Sequence, residues 1–216
     1  MPSRPPSRPA PDRGVTETLR LVSFGTSLSA RGGWQAALAA RLRERLEADA
    51  TIAIHAKPGA NSDWGVANAA TVAALDADIV LIEFSINDAS LLRGVSLSRS
   101  RENLRKIVAT LKASAPSPRL VLMTMNPALG LKRLVRPRLD AYYAVYLQVA
   151  AELGLGVAHL YQAWAALSPR QLRRAIPDGL HPLPDPAADI IVPALTQLIT
   201  QGEVLRVSGR HAAPAR

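Results

Sequence analysis

Between Asp78 and Phe84 the chain reads Asp-Ile-Val-Leu-Ile-Glu-Phe, a nearly unbroken run of β-branched and apolar residues. A strand with one wet face alternates apolar and polar residues. A run that is apolar on both sides fits a strand buried on both faces, the condition of an inner strand in a parallel sheet covered by helices. The neighbouring segments agree. Leu19–Phe24, closed by Gly25, Thr51–Ala56, Arg119–Met125 and Val157–Leu160 read as further strands. Between them, Trp34–Ala48, a stretch from about Asp63 to Leu75, Leu97–Ala113 and Arg138–Leu153 carry apolar residues at helical spacing. Asn61 or Ser62 is placed to cap the second of these helices, and Gly154 to close the last. Pro169–Ala175 reads as a short helix and Pro186–Thr200 as a final one, with Pro193 predicting a kink or a late start. Strand and helix alternate five times without a tandem run of strands. The expected fold class is α/β, a three-layer α/β/α sandwich around a five-stranded parallel sheet.

The domain is expected over residues 19–201, between a Pro/Arg-rich tail (1–18) and a flexible C-terminal tail (202–216). The first tail, MPSRPPSRPAPDRG, has five prolines and no apolar stretch. It is therefore neither a helix nor a secretory signal, which places the protein in the cytoplasm as an expectation. No run approaches the length of a membrane span. With no cysteine in the chain, disulfides, thiolate metal sites and cysteine nucleophiles are excluded. The net charge is +9, from 26 basic and 17 acidic residues. The arginines are dispersed along helices and no nucleic-acid-binding motif accompanies them, so a nucleic-acid partner is not expected.

In parallel α/β sheets ligands bind beyond the carboxyl ends of the strands. Those ends read Gly25-Thr26-Ser27-Leu28, Lys57-Pro58-Gly59-Ala60-Asn61-Ser62, Ser85-Ile86-Asn87-Asp88 and Thr124-Met125-Asn126-Pro127, followed after the last strand by Pro177-Asp178-Gly179-Leu180-His181-Pro182. All five deliver small or polar residues to one rim. Acyl transfer needs a hydroxyl activated by an imidazole, a carboxylate to orient that imidazole, and donors for the developing oxyanion. Of the four histidines, His55 falls inside a strand, His159 suits a packing role in a short strand and His211 lies in the tail. His181 stands in a polar turn three residues after Asp178, close enough for the carboxylate to reach its far ring nitrogen. Taken singly, each piece has a plainer reading. Ser27 reads equally as a helix cap, Asp178 and His181 as an ordinary turn, Asn87 as a cap and Gly59 as a turn former.

The order strand–GTSL, strand–G, strand–SIND and a late DGLH resembles the SGNH hydrolases, also called the GDSL esterase/lipase family, over about residues 19–201. The resemblance implies a flavodoxin-like sandwich with Ser27 as nucleophile, His181 as general base and Asp178 as its orienting acid. It implies an oxyanion hole formed by the Ser27 backbone N–H, Gly59 and Asn87. Gly65 is a second glycine in the region of that block. Two positions depart from the family pattern: Thr26 stands where an aspartate is usual, and Ser85 where a glycine is usual.

The implied function is a serine esterase acting on a short-chain ester, such as an acetyl ester, of a small molecule or carbohydrate, without cofactor or metal. No long apolar lid segment is present to serve long acyl chains. Trp34 suits either the anchor of the first helix or a pocket wall. A catalytically silent domain of the same fold that binds glycan or another partner is the rival, with the departures at Thr26 and Ser85 as its marks and the intact Ser27, Asp178 and His181 against it.

Overall fold

The computed structural model describes residues 18–210. The chain runs β1 (Leu19–Gly25), α1 (Ser27–Ala30), α2 (Trp34–Leu46), β2 (Ala50–Ala56), α3 (Ser62–Ala73), β3 (Ile79–Glu83) and α4 (Ser85–Asp88). It continues through α5 (Leu97–Lys112), β4 (Arg119–Thr124), α6 (Gly130–Leu134), α7 (Leu139–Leu153), β5 (Gly156–His159), α8 (Leu160–Ala165), α9 (Pro169–Ala175) and α10 (Pro184–Arg210). The five strands pair in parallel in the order β2-β1-β3-β4-β5.

The sheet is the three-layer sandwich expected, and the alternation of side chains along its strands explains why. On one face Leu21, Ile79, Leu81, Val121 and Met123 pack with Trp34, Leu38 and Leu42 of α2, Trp164 of α8, and Ile191, Leu195 and Ile199 of α10. On the other, Val22, Phe24, Val80, Ile82 and Leu122 meet Val72 of α3, Leu104, Ile107 and Leu111 of α5, and Tyr146 and Val149 of α7. β3 is buried along its whole length, as its unbroken apolar run requires. Each fully buried Leu, Ile, Val or Phe contributes about 1.5–3 kcal/mol, so a core of this size tolerates a few costly polar groups at the rim.

Local capping fixes where the helices start. Asn61 is the N-cap of α3, its side-chain oxygen accepting from Trp64 N, and Gly154 closes α7 in the left-handed conformation at φ 62°. At the far end of the chain the expectation needs correcting. The last helix begins at Pro184 and runs through Pro193, so there is no late start. Proline costs a helix the hydrogen bond to the carbonyl four residues earlier. Here Ile191, Leu195 and Ile199, all fully buried in the sheet-facing core, hold the helix on both sides of it. The same helix carries the chain to Arg210, into the stretch expected as a tail, while residues 1–17 and 211–216 lie outside the described ones. Among the described residues no helix is long and apolar enough to cross a membrane.

Candidate active site

In this strand order the connections leave β1 and β3 in opposite directions, which opens a crevice between their carboxyl ends. Two of the expected site residues stand there. Ser27 is the first residue of α1, directly after β1, and Asn87 lies in α4, directly after β3. Thr26, not Ser27, is the helix cap, its hydroxyl accepting from Leu28 N at 3.2 Å. Ser27 is thereby relieved of capping, and as the first helical residue its own N–H has no intrahelical acceptor.

The Ser27 hydroxyl lies 2.9 Å from His181 Nε2, and His181 Nδ1 lies 2.6 Å from Asp178 Oδ2. One carboxylate thus fixes the ring whose other nitrogen meets the serine. Asp178 also accepts from the backbone of Leu180 at 2.9 Å and of His181 at 2.7 Å. Partial burial pushes its carboxyl up, but the hydrogen bonds from the His181 backbone and ring and from Leu180 outweigh that and hold it at about 2. The acid therefore stays ionised at neutral pH. The turn that bears this pair is pinned to the end of β4: Asn126 Nδ2 donates to Leu180 O at 2.8 Å, and Leu129 N donates to Gly179 O at 2.8 Å.

Across Ser27 lie Gly59 and Asn87, lining one cleft of about 500 Å³ with Ser27 and His181. Gly59 has φ 78°, in a turn where Ala60 N donates to Lys57 O at 3.0 Å. The left-handed backbone after Pro58 is the reason for glycine there. Gly65 is elsewhere, inside α3, where a Cβ would stand 2.8 Å from both Phe84 and Ile107, so it is a packing glycine. Asn87 is buried, and its amide nitrogen donates to Ala60 O at 2.8 Å, leaving one amide hydrogen for a further acceptor. Arg136 reaches Asn87 Oδ1 at 3.4 Å and Ile86 O at 2.7 Å and so orients the carboxamide.

Both departures from the family pattern have a local setting. The carboxylate beneath the nucleophile turn belongs to Glu83, the last residue of β3, which is 1% exposed. It accepts from Thr26 N at 2.6 Å, from the Thr26 hydroxyl at 2.9 Å and from the Ser29 hydroxyl at 2.8 Å. Desolvation pushes this carboxyl up to about 7 against the pull of those donors. Ser85 is buried in the first turn of α4, near the Tyr146 hydroxyl that accepts from Phe84 N at 2.8 Å.

A separate recess beside Ser27 is lined by Leu28, Trp34, Met125, Ala187 and Ile191 and holds only about 20 Å³. Trp34 serves both purposes considered for it: it is buried in the core, donates from Nε1 to Leu28 O at 3.2 Å, and walls this recess. Of the other histidines, His55 is stacked on Trp64 and His159 is the cap of α8, neither lining the cleft or the recess at Ser27, while His211 falls outside the described residues. Sequence reasoning did not find Glu83, Arg93, Lys132, Arg136 or the clamp made by Asn126. The one signal for Glu83 was a carboxylate ending a strand apolar on both sides. The arginines and the lysine gave none.

This arrangement can take a proton from a hydroxyl and offer donors to a nearby oxyanion. A family model described as the GDSL-like lipase/acylhydrolase family matches residues 15–185. A GDSL esterase/lipase of Arabidopsis thaliana is 28% identical over 196 residues, covering 76% of this chain and 79% of the relative. The fold is similar to the lipase/acylhydrolase from Enterococcus faecalis, with TM-score 0.67 and 24% identity over 82% of this chain and 95% of that one. It is also similar to an acetylxylan esterase from Geobacillus stearothermophilus, with TM-score 0.70 and 21% identity over 83% and 93%. The family match spans most of the chain, and the protein belongs to the GDSL-like lipase/acylhydrolase family, a serine hydrolase acting on ester bonds.

Proposed function

We propose that the protein hydrolyses short-chain esters, acetyl esters first among them, through an acyl-enzyme formed on Ser27. The hydrogen-bonded line Asp178–His181–Ser27, at 2.6 and 2.9 Å, carries this reading. His181 Nε2 takes the hydroxyl proton as Ser27 Oγ attacks the ester carbonyl carbon, and Asp178 stabilises the imidazolium that forms. The carbonyl oxygen, now negative, is met by the N–H of Ser27, the N–H of Gly59 and the Asn87 amide, each such donor contributing about 3–4 kcal/mol to the transition state. Collapse expels the alcohol, which takes the proton from His181. Water then attacks the acyl-enzyme with His181 as base and releases the acid.

The small recess beside Ser27 supports a short acyl group. Its 20 Å³ is little more than the roughly 10–15 Å³ that one water-sized sphere needs, enough for a methyl and not for a chain. An acetylxylan esterase among the structural neighbours is consistent with an acetylated carbohydrate as substrate.

The test is a p-nitrophenyl series from acetate to octanoate with wild type and Ser27→Ala, together with fluorophosphonate labelling. Acetate is expected to turn over best, and Ser27→Ala to lose about 10⁴-fold or more in kcat and all labelling. A folded wild type that neither labels nor hydrolyses any member would refute the reading and favour a silent binding domain.

A further inference from the structure

We propose that the cleft beside Ser27 is an anion subsite, and that the alcohol half of the ester carries a fixed negative group, a carboxylate or a phosphate. The inference rests on the esterase reading for its placement of the substrate. If the recess takes the acyl group, the larger cleft receives the alcohol.

That cleft, of about 500 Å³, is lined by Arg31, Arg93, Lys132 and Arg136 as well as by Ser27, Gly59, Asn87 and His181, and by no aspartate or glutamate. Elsewhere Arg20 meets Asp76, Arg41 meets Glu44, Arg43 meets Asp49, Arg99 meets Asp63, and Arg101 and Arg105 share Glu152, while among the described residues Arg45, Arg170, Arg173 and Arg174 have no ion pair. What sets the cleft apart is four cations gathered on one site without a free carboxylate. Arg31 has only the edge of Asp178, at 3.9 Å, and that carboxylate is already engaged by His181. Among the described residues no carboxylate lies within ion-pair distance of Arg93, Lys132 or Arg136. Asp88, next to Asn87, is turned to Ser62 N at 2.7 Å and the Ser100 hydroxyl at 2.6 Å.

Arg136 sharpens the point. It is 7% exposed, and its guanidinium touches only uncharged acceptors: Ile86 O, Lys132 O and Asn87 Oδ1. A buried charge without a counter-charge is costly. Arg93 lies over Gly59, its Nη2 2.7 Å from where a Cβ would stand, so the residue proposed to donate to the oxyanion also makes room for a cation. Arg31, Arg93 and Lys132 are exposed around the buried Arg136. Cations gathered in one cleft attract an anion, and guanidinium groups match the paired oxygens of carboxylate and phosphate.

Three acetyl esters test this: 4-acetoxybenzoate, 4-acetoxyphenyl phosphate and the uncharged methyl 4-acetoxybenzoate. The readout is the ratio of kcat/KM for each anion to that for the methyl ester. Wild type is expected to prefer at least one anion by about tenfold, a preference that shrinks with added salt. In Arg93→Gln/Lys132→Gln the ratio should fall about tenfold, chiefly through KM, while Arg105→Gln, on the far helical layer, leaves it unchanged. Preference for the carboxylate or for the phosphate identifies the group, and either supports the subsite. No preference in wild type, or equal losses on charged and uncharged esters in the double variant, would overturn it even though the esterase reading stood. If no ester is hydrolysed, calorimetric titration of Ser27→Ala decides. Binding of 4-acetoxybenzoate or 4-acetoxyphenyl phosphate but not of the methyl ester supports the subsite, and binding of neither anion refutes it.

Discussion

Gly25 and Glu83 stand opposite one another in the register of β1 and β3. A Cβ on Gly25 would lie 2.2 Å from Glu83 Oε1 and 2.7 Å from Glu83 O, so the missing side chain is what admits the carboxylate beneath the Thr26–Ser29 turn. The backbone oxygen cannot swing aside. Gly25→Ala is therefore expected to cost about 1–3 kcal/mol, as other overpacked sites do. It should lower the melting temperature by about 2–4 °C per kcal/mol, and displacement of Ser27 should lower kcat at least about tenfold. Circular dichroism melts with acetate-ester kinetics check both, and an unchanged kcat would detach Glu83 from the geometry of the turn. At this scale the sequence was readable only where chemistry was local. Asp178 and His181 share one turn, Ser27 begins α1, Gly59 lies in the turn after β2, and Asn87 lies in α4, two residues from its start. Glu83 and Arg136 act across 57 and 49 residues of separation, on Thr26 and Asn87 respectively, and no local pattern marks such a partner.

At the scale of elements, the long helices announce themselves by period and the five strands by short apolar, β-branched runs, and their observed limits lie within two or three residues of the sequence reading, except for α10. The short pieces at the rim, α1, α4, α6 and α8, each span four to six residues and are too short to show a period. Of these, α1, α4 and α6 supply residues to the site, so the rim was less legible than the core. The turn bearing Asp178 and His181 is such a piece, and it has no regular structure to hold it. Its rigidity comes from the end of β4, where the fully buried Asn126 donates to Leu180 O, and Tyr143 in turn donates to Asn126 O at 2.8 Å. Asn126→Ala would leave Leu180 O without that donor. A buried group so orphaned costs about 1–3 kcal/mol, and a small misplacement of His181 costs up to about 100-fold in rate. The expected signature is a loss in kcat with little change in KM, together with faster amide exchange across 178–181. Exchange unchanged in that turn would assign the clamp elsewhere.

For the molecule as a whole, Glu83 gives folding stability a pH dependence that opposes the usual one for carboxylates. Its carboxyl moves from an ordinary 4.5 to about 7 on folding, because burial disfavours the charge more than its donors favour it. Between those two values the native chain holds a proton that the unfolded chain has lost. Stability from this group is then fully present below about pH 4.5 and disappears as the pH rises through about 7. At about 1.4 kcal/mol per unit the difference amounts to about 3 kcal/mol. The carboxyl of Asp88, also raised by burial, acts in the same direction, whereas that of Asp178, held low, loses its contribution only in acid, so neither hides the effect when a single residue is changed. Glu83→Gln keeps the size and one acceptor oxygen but cannot ionise. Its melting temperature relative to wild type is expected to rise by about 5–10 °C between about pH 5 and pH 8. Parallel curves for the two proteins across that range would mean that Glu83 ionises as readily in the folded chain as in the unfolded one. The donors of Thr26 and Ser29 would then balance its desolvation, and the carboxylate would hold the turn at no net cost to the fold.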